Sequence, residues 1–513
     1  MAIIGIDFGN YNTFPCFISD FDPGTRMGGT VHDLLPSGLQ DGIPSVFYYS
    51  KKVGVLCGEE AVRTRARPVS NRIRNLKRHL ADSITLDDRT ISYGEAITSV
   101  IQHCVRRANE QLHAGWQMTT NQISLSYPAS YTSAQLQRLI ELAEQATLAD
   151  GTPVKVVGTI REPAAAALDY LAEHAQTKEE TTVLTYDLGG GTFDLALVAA
   201  YPGGRENENG GVYYYDVIAP GGLPNVGGTE FDEKLYKLML SKLDVPLKPV
   251  HKNALRRQAE PIKIALSTDD YVEEELFYED DYLTFQITRQ EFEEATSELL
   301  QQTIDATRQM LLEHPNQQPE LILLTGGASK MPMVKEALEE ALPQFKGKIV
   351  YFRPSRAIAY GAARFGTAEE NVDVNDGGTM VQQRTMFDIG VRYYLREMGD
   401  LRYIYTHIPA NTPIPYTGAY EESYTHEEGQ RYSTFRVFEA VTQHPDKYKP
   451  NEDYVEIMKV TLDYGEPVPK GTQNESRLHV DERGVLTIQA RTKTDEGIKP
   501  VENTVQLTNL SSV

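Results

Sequence analysis

Two stretches of this chain repeat one pattern, and the repetition limits what it can fold into. In the first, Ile3-Ile4-Gly5-Ile6-Asp7, an apolar run ends in an aspartate. It passes through Gly9-Asn10-Tyr11-Asn12 into a second apolar run, Phe14 to Ile18. In the second, Val183 to Tyr186 is apolar, Asp187 ends it, Gly189-Gly190-Gly191-Thr192 follows, and Phe193 to Val198 returns. A glycine turn has no Cβ atoms to hold a bulky anion away, so its backbone N–H groups can close around phosphate oxygens. A carboxylate at the strand end can hold a hydrated Mg²⁺ or orient a water beside that phosphate. Either stretch alone reads equally well as a hairpin with no ligand. Two copies imply a duplicated unit whose hairpins face one nucleotide from opposite sides.

The length suits about three or four structural units. Net charge is −22, from 72 acidic against 50 basic residues. That disfavours bulk binding to nucleic acid or to an anionic membrane. Any phosphate site must then be built locally from backbone amides, metal and a few bases. Cys16, Cys57 and Cys104 are widely spaced, which fits a reducing compartment rather than a disulfide framework or a metal site. The N-terminal apolar run lacks a basic flank and is broken by Asp7, so it is not a signal peptide. No apolar run approaches the ~20 residues that span a bilayer. A soluble, cytoplasmic protein is the expectation.

Along the chain, Pro15 inside a strand suits an edge or a bulge. The basic stretch Arg63, Arg65, Arg67, Arg72, Arg74, Lys77 and Arg78 reads as a solvated helical face, the alternative being a nucleic-acid patch without interleaved aromatics. Helices are expected over 93–115, 133–148, 254–268, 292–312 and 331–342. Glu162-Pro163 opens a helix through Ala164-Ala165-Ala166-Ala167, whose small side chains permit close packing. Ala357 to Ala363 is its counterpart. Gly203 to Gly211 reads as a polar loop, and 269–281 as a hairpin with an acidic surface. Gly227-Gly228-Thr229-Glu230-Phe231-Asp232 places two glycines before a helix, a third candidate anion site. Leu321 to Thr325 is a buried strand leading into Gly326-Gly327-Ala328-Ser329, which a nucleoside could slide against.

In this order these segments resemble the actin-like ATPase superfamily, and within it the DnaK-type, seventy-kilodalton heat-shock chaperones. The carriers are Gly5-Ile6-Asp7-Phe8-Gly9, Glu162-Pro163-Ala164-Ala165-Ala166 and Tyr186-Asp187-Leu188-Gly189-Gly190-Gly191-Thr192-Phe193-Asp194. To these are added Gly227 to Asp232, Gly326 to Pro332 and Ala359-Tyr360-Gly361-Ala362-Ala363. The resemblance implies ATP/ADP with Mg²⁺, and K⁺ as a further ion. It assigns Asp7 and Asp187 to the metal through waters, Asp194 to the ion sites, Lys77 to the γ-phosphate, and Glu162 with Pro128 to a relay toward the surface. Catalytic residues would be Lys77, Asp187, Asp7, Asp194 and Glu162. Phosphates would lie on Gly9, Asn10, Tyr11 and Asn12, on Gly189, Gly190, Gly191 and Thr192, and near Gly227, Gly228, Thr229 and Glu230. Glu260, Lys263 and Ser267 would border adenosine, with Gly326, Gly327, Ala328 and Lys330 as the other wall.

The chain departs from that family at Asn10 and Tyr11, which stand where it has two threonines. Ile264 and Lys330 replace the arginines that sandwich the base, which removes a guanidinium stack. Leu136 sits where the relay has an arginine, and Ser355 replaces an aspartate before the last helix.

Beyond about residue 380 apolar and polar residues alternate, as in Phe435 to Val441, Val455 to Val460 and Val485 to Ala490, separated by turn residues. This reads as an antiparallel β-sandwich. Ile408 to Pro415 and Val480 to Leu486 resemble the chaperones' peptide-binding domain. Asp388-Ile389-Gly390 is read as ordinary strand and turn. The expected organisation is an α/β two-lobed actin-like (ribonuclease H-like) ATPase domain over 1–367, a polar linker over 368–385, and a β-sandwich over 386–513 without a helical lid. The family's linker is a leucine-rich strand, whereas here it reads Val381-Gln382-Gln383-Arg384.

The expected function is slow ATP hydrolysis coupled to binding of a polypeptide client or a specific partner, with a co-chaperone or nucleotide-exchange factor as a further partner. No nucleic acid or membrane partner is expected. The alternative is a nucleotide-gated binding or scaffold protein with negligible hydrolysis. A filament-forming or sugar-phosphorylating relative of actin is a third reading, disfavoured by the β-sandwich.

Overall fold

The computed structural model describes residues 2–21, 28–63, 69–174, 180–206, 212–243, 245–370, 381–395, 401–442, 445–494, 497–499 and 502–507. Residues 368–370 of the stretch read as a linker continue the preceding helix, and 371–380 lie outside this set.

Two sheets share one strand order. In the first, Ile4–Phe8 pairs antiparallel with Asn12–Ser19, which pairs with Thr30–Asp33. On its other side lie the parallel strands Gln122–Tyr127 and Lys155–Arg161. In the second, Thr181–Leu188 pairs antiparallel with Phe193–Glu206, and that with Val212–Leu223. Leu321–Thr325 and Ile349–Tyr351 add in parallel on the far side. Each repeat thus carries a hairpin at the carboxyl ends of its parallel strands, where ligands of open α/β sheets collect.

Each fifth strand leads to a small-residue helix, Glu162–His174 or Ala357–Glu370. The two helices pack against each other, with Ala164 to Ala167 fully buried. Gly361 lies on the Ala165 carbonyl and Gly5 on Ala363, so neither position has room for a Cβ atom.

Helix Tyr93–Trp116 starts where the Ser92 side chain accepts the Glu95 amide, and it buries Ile97, Val100, Ile101, Cys104, Val105, Ala108 and Leu112 as one stripe. Helix Ser133–Glu144 is fixed at its start by a reciprocal Thr132–Gln135 capping box. It stops short of the expected Leu148 because Thr147 bridges Pro153 and gives its amide to Gln102.

Three further expectations are corrected. Pro15 occupies a strand with neighbours on both sides, not an edge. The Leu34 amide, one residue past the end of strand Thr30–Asp33, donates to the Pro15 carbonyl, so the missing N–H faces the end of the ladder. Gly203–Glu206 extends a strand instead of forming a loop, with 207–211 outside the described residues. Of the basic stretch, Arg65 and Arg67 lie outside the described residues, Arg63 follows the end of the short helix Gly58–Val62, and the rest is not a helical face but two single turns, Val69–Asn71 and Leu76–Arg78, flanking the short strand Arg72–Ile73. Lys77 is buried within it.

The described residues between 389 and 507 form two antiparallel sheets that share a core of Val391, Ile408, Phe435, Val437, Val460, Leu478, Val480 and Leu486. Ala134, from helix Ser133–Glu144, joins that core, so the last sheets rest directly on the first repeat. Thr159 Oγ1 donates to the Arg483 carbonyl at 2.6 Å, and Arg483 pairs with Glu144 at 3.5 Å.

Val381–Arg384, within the stretch read as a polar linker, is a strand of the second sheet, parallel to Val212–Leu223. Gln382 and Gln383 are 4% and 3% exposed. A buried amide without partners costs about 1–3 kcal/mol, and here each has one. Gln383 Nε2 donates to the Thr159 carbonyl and Gln382 Nε2 to the Ile414 carbonyl, both at 2.9 Å. Arg384 makes a bidentate pair with Asp216 at 2.9 and 3.0 Å. Hydrogen bonding thus does for this strand what leucine burial does in an apolar one.

All three cysteines are buried and free. No helix among the described residues is long and apolar enough to cross a membrane.

Candidate nucleotide site

Strand pairing places the acidic residues first. Asp7 ends the inner strand of the first hairpin, and Asp187 faces Asp194 as its register partner across the second. Lys77 arrives from the turn Leu76–Arg78, anchored by the Tyr131 hydroxyl, which donates to the Lys77 carbonyl at 2.8 Å. Glu162, the first residue of its helix, meets the Lys77 ammonium in a direct ion pair. The structure therefore brings Asp7, Lys77, Glu162, Asp187 and Asp194 into one cluster.

One lysine faces four carboxylates there, and electrostatics records the imbalance. Burial, reinforced by Glu162, pushes the Asp194 carboxyl up to about 7. Burial also raises Asp7 to about 7, with Lys77 opposing it. Asp187 is held well above the carboxylate range by burial and by the charges of Glu162, Asp194 and Asp7. Lys77 is raised although burial works against its charge, because Glu162 and Asp7 favour it.

Thr192 Oγ1 donates to Asp194 Oδ2 at 2.6 Å, and Ser126 Oγ to Asp7 Oδ1 at 3.3 Å. Asp187 Oδ1, Asp194 Oδ1 and Asn10 Oδ1 are buried with no hydrogen-bond partner among the described residues. No three His, Cys, Asp or Glu side chains among the described residues converge to hold a bare metal ion. Excess buried negative charge, unpartnered oxygens and no direct ligand set fit a cation that keeps its own water shell, as Mg²⁺ commonly does.

The glycine segments join next to this cluster. Gly228 and Thr229 donate their amides to the Gly189 and Gly190 carbonyls, both at 2.9 Å. Gly227, which is extended, packs flat on Gly191. The helix Gly228–Ser241 is thereby fixed to the second hairpin. Lys263 pairs with Asp232 at 2.7 Å and donates to the Gly228 carbonyl at 3.2 Å. Burial raises the Asp232 and Glu260 carboxyls, with Lys263 opposing. Ser267 lies just past the end of helix Pro249–Ala265, donating to the Lys263 carbonyl at 3.3 Å.

On the opposite wall, Gly326 has φ +79° and lies against the Asp187 carboxylate and the Leu188 carbonyl, a position that requires glycine. Ala328 is buried, while Gly327 and Lys330 are exposed. Ile264 is 61% exposed. Asn12 contributes its carbonyl, which accepts the Gly9 amide at 3.0 Å, while its side chain faces solvent.

Arg78, in sequence one more base of the basic stretch, reaches across to the second hairpin. It pairs with Glu230 through Nη1 at 2.9 Å and Nη2 at 3.1 Å, and Nη2 also donates to the Gly191 carbonyl. Its adjacency to Lys77 was the available signal. Asp232, at the end of Gly227 to Asp232, is fixed by its pairing with Lys263, which the motif alone does not indicate.

A family model described as "Hsp70 protein" matches residues 85–512. A protein from Shewanella sp. (strain MR-7) named "Chaperone protein HscA homolog" is similar, at 26% identity over 528 aligned residues. The alignment covers 96% of this chain and 76% of that protein.

Proposed function

The chain belongs to the Hsp70 family, and on that premise we propose an ATP-dependent, chaperone-like protein that binds and slowly hydrolyses ATP and binds polypeptide segments or a specific partner. The observation that carries this reading is the burial of Lys77 among Asp7, Glu162 and Asp194, with Asp187 beside those carboxylates, where two Asp–Gly hairpins meet. A two-lobed actin-like domain over 1–367, joined through 368–385 to a β-sandwich over 386–513, is the organisation we assign to it. Clients, co-chaperones and a cytoplasmic setting come with the same reading.

In the reaction, water attacks the γ-phosphorus in line, the bond to the ADP oxygen breaks, and ADP and phosphate result. Positioning and charge neutralisation supply most of the catalysis. Lys77 Nζ balances charge on the γ-phosphoryl oxygens, held in place by Glu162. Asp187 Oδ1, a buried oxygen without a partner, and Asp7 place the attacking water, whose proton leaves with the phosphate product. Asp7 and Asp187 would hold Mg²⁺ through waters, with Asp194 beside the ion sites, and the metal would supply positive charge next to the phosphates. Glu260, Lys263 and Ser267 border the nucleoside.

A second reading, a nucleotide-gated binding protein with negligible turnover, is favoured by one observation: the Tyr11 ring lies on Gly190.

Phosphate release from Mg·ATP, measured on the wild type and Lys77→Ala beside calorimetric ATP binding, separates the readings. Binding by both with turnover only in the wild type supports the ATPase. Binding without turnover in either supports the gated protein. No binding in either removes both.

A further inference from the structure

Tyr11 belongs to the first hairpin, but its ring belongs to the second. A Cβ atom on Gly190 would stand 2.5 Å from Tyr11 Cε2 and 2.6 Å from Cδ2, so the edge of the ring covers the middle glycine of Gly189-Gly190-Gly191. Beyond Gly190, the Tyr11 hydroxyl meets the Thr229 side chain and faces Glu260 and Asp232. The side chain thus runs from the first hairpin, across the glycine turn, to the start of helix Gly228–Ser241 and the side of helix Pro249–Ala265. Asn10 and Arg78 cover the neighbouring Gly191 in the same way.

Small size at Gly190 is what lets backbone amides approach a phosphate, and the same space is filled by the ring. An anion and the ring cannot occupy it together. Burial, with the charges of Glu260 and Asp232, pushes the phenol up to about 12, so it stays neutral and the contact persists through the physiological range.

We propose that Tyr11 is a built-in plug of the nucleotide site: its ring rests on Gly190 in the free protein, and nucleotide binds only when the ring swings away. The inference rests on the nucleotide reading above and adds its regulation. If the ring-off state is a minor population, apparent affinity falls by that fraction. Removing the ring removes the penalty, whereas removing only the hydroxyl does not.

Mg·ADP binding, measured by titration calorimetry on the wild type, Tyr11→Phe, Tyr11→Thr and Tyr11→Ala, tests this, with thermal melts as the folding control. Tyr11→Thr should bind about tenfold tighter than wild type, a plug closed in roughly nine molecules of ten. Tyr11→Ala should match it, so one folded small variant suffices, and Tyr11→Phe should stay near wild type. Equal affinity in all four proteins overturns the plug and leaves the nucleotide site standing. Weaker binding in the small variants also overturns it, and makes the ring a nucleotide contact. Binding by the small variants alone supports the plug in its strongest form. No binding by any of the four removes the nucleotide reading and the plug with it.

Discussion

Asp187 and Asp194 stand directly opposite each other across the second hairpin, 3% and 0% exposed, so two like charges share one buried rung of a sheet. Neighbouring like charges in such a place disfavour double ionisation. Asp187→Asn removes one of them at nearly constant shape. The variant should melt a few degrees higher, a gain of about 1 kcal/mol, while turnover falls by about 100-fold. Scanning calorimetry and phosphate release check the pair. A lower melting temperature would mean that the favourable Thr325 interaction of the carboxylate outweighs its repulsion.

Glu439 gives the contact between the last two sheets and the first repeat a pH dependence. Its Oε2 accepts the Ser133 amide at 2.7 Å, with Arg161 and Tyr127 facing it. Burial raises its carboxyl to about 7, and the Ser133 hydrogen bonds and Arg161 only partly offset this. A carboxyl raised in the docked state binds protons more tightly there than in the undocked one. Docking is therefore fully supported below about 4.5, and that support is lost as pH rises through about 7. Proteolysis around residue 385 should be slower at pH 6 than at pH 8 in the wild type, and equal at both in Glu439→Gln.

Arg384 neutralises Asp216, which is 4% exposed. Arg384→Ala leaves that carboxylate buried without its cation, a loss of about 3 kcal/mol by analogy with other broken buried pairs. Strand Val381–Arg384 should then detach, and cleavage near 385 should accelerate with no change in the melting of the remaining sheets. If nucleotide binding is coupled to this strand, apo, ADP and ATP samples of the wild type should differ in the same assay.

Gly361 lies on the Ala165 carbonyl where the two small-residue helices cross. Gly361→Ala forces the helices apart and should destabilise the protein by about 2 kcal/mol, as overpacked cores do. Gly327→Ala, in open space, is the matched control and should melt like the wild type.

Short-range pattern carried much of this in the amino-acid sequence. Apolar runs ending in Asp7 and Asp187, glycines after them, and alanines at the crossing helices declare strand, turn and helix locally. Each of those choices depends on steric properties of the residue itself. The alternation from Phe435 onward declared sheets for the same reason. What failed were places where a distant partner decides. Thr147 is drawn out of the expected helix by Pro153 and Gln102, Pro15 is tolerated because the neighbouring strand ends beside it, and Arg78 turns inward because a carboxylate 152 residues away awaits it.

By itself, then, the sequence determined the two hairpins, the small-residue helices and the identity of the acidic residues, all properties of short segments. Only the tertiary structure decided that a polar strand could be buried, that Tyr11 crosses to Gly190, and that four carboxylates share one lysine. Hydrogen-bond satisfaction and charge balance are sums over residues far apart in the chain, and no local pattern contains them.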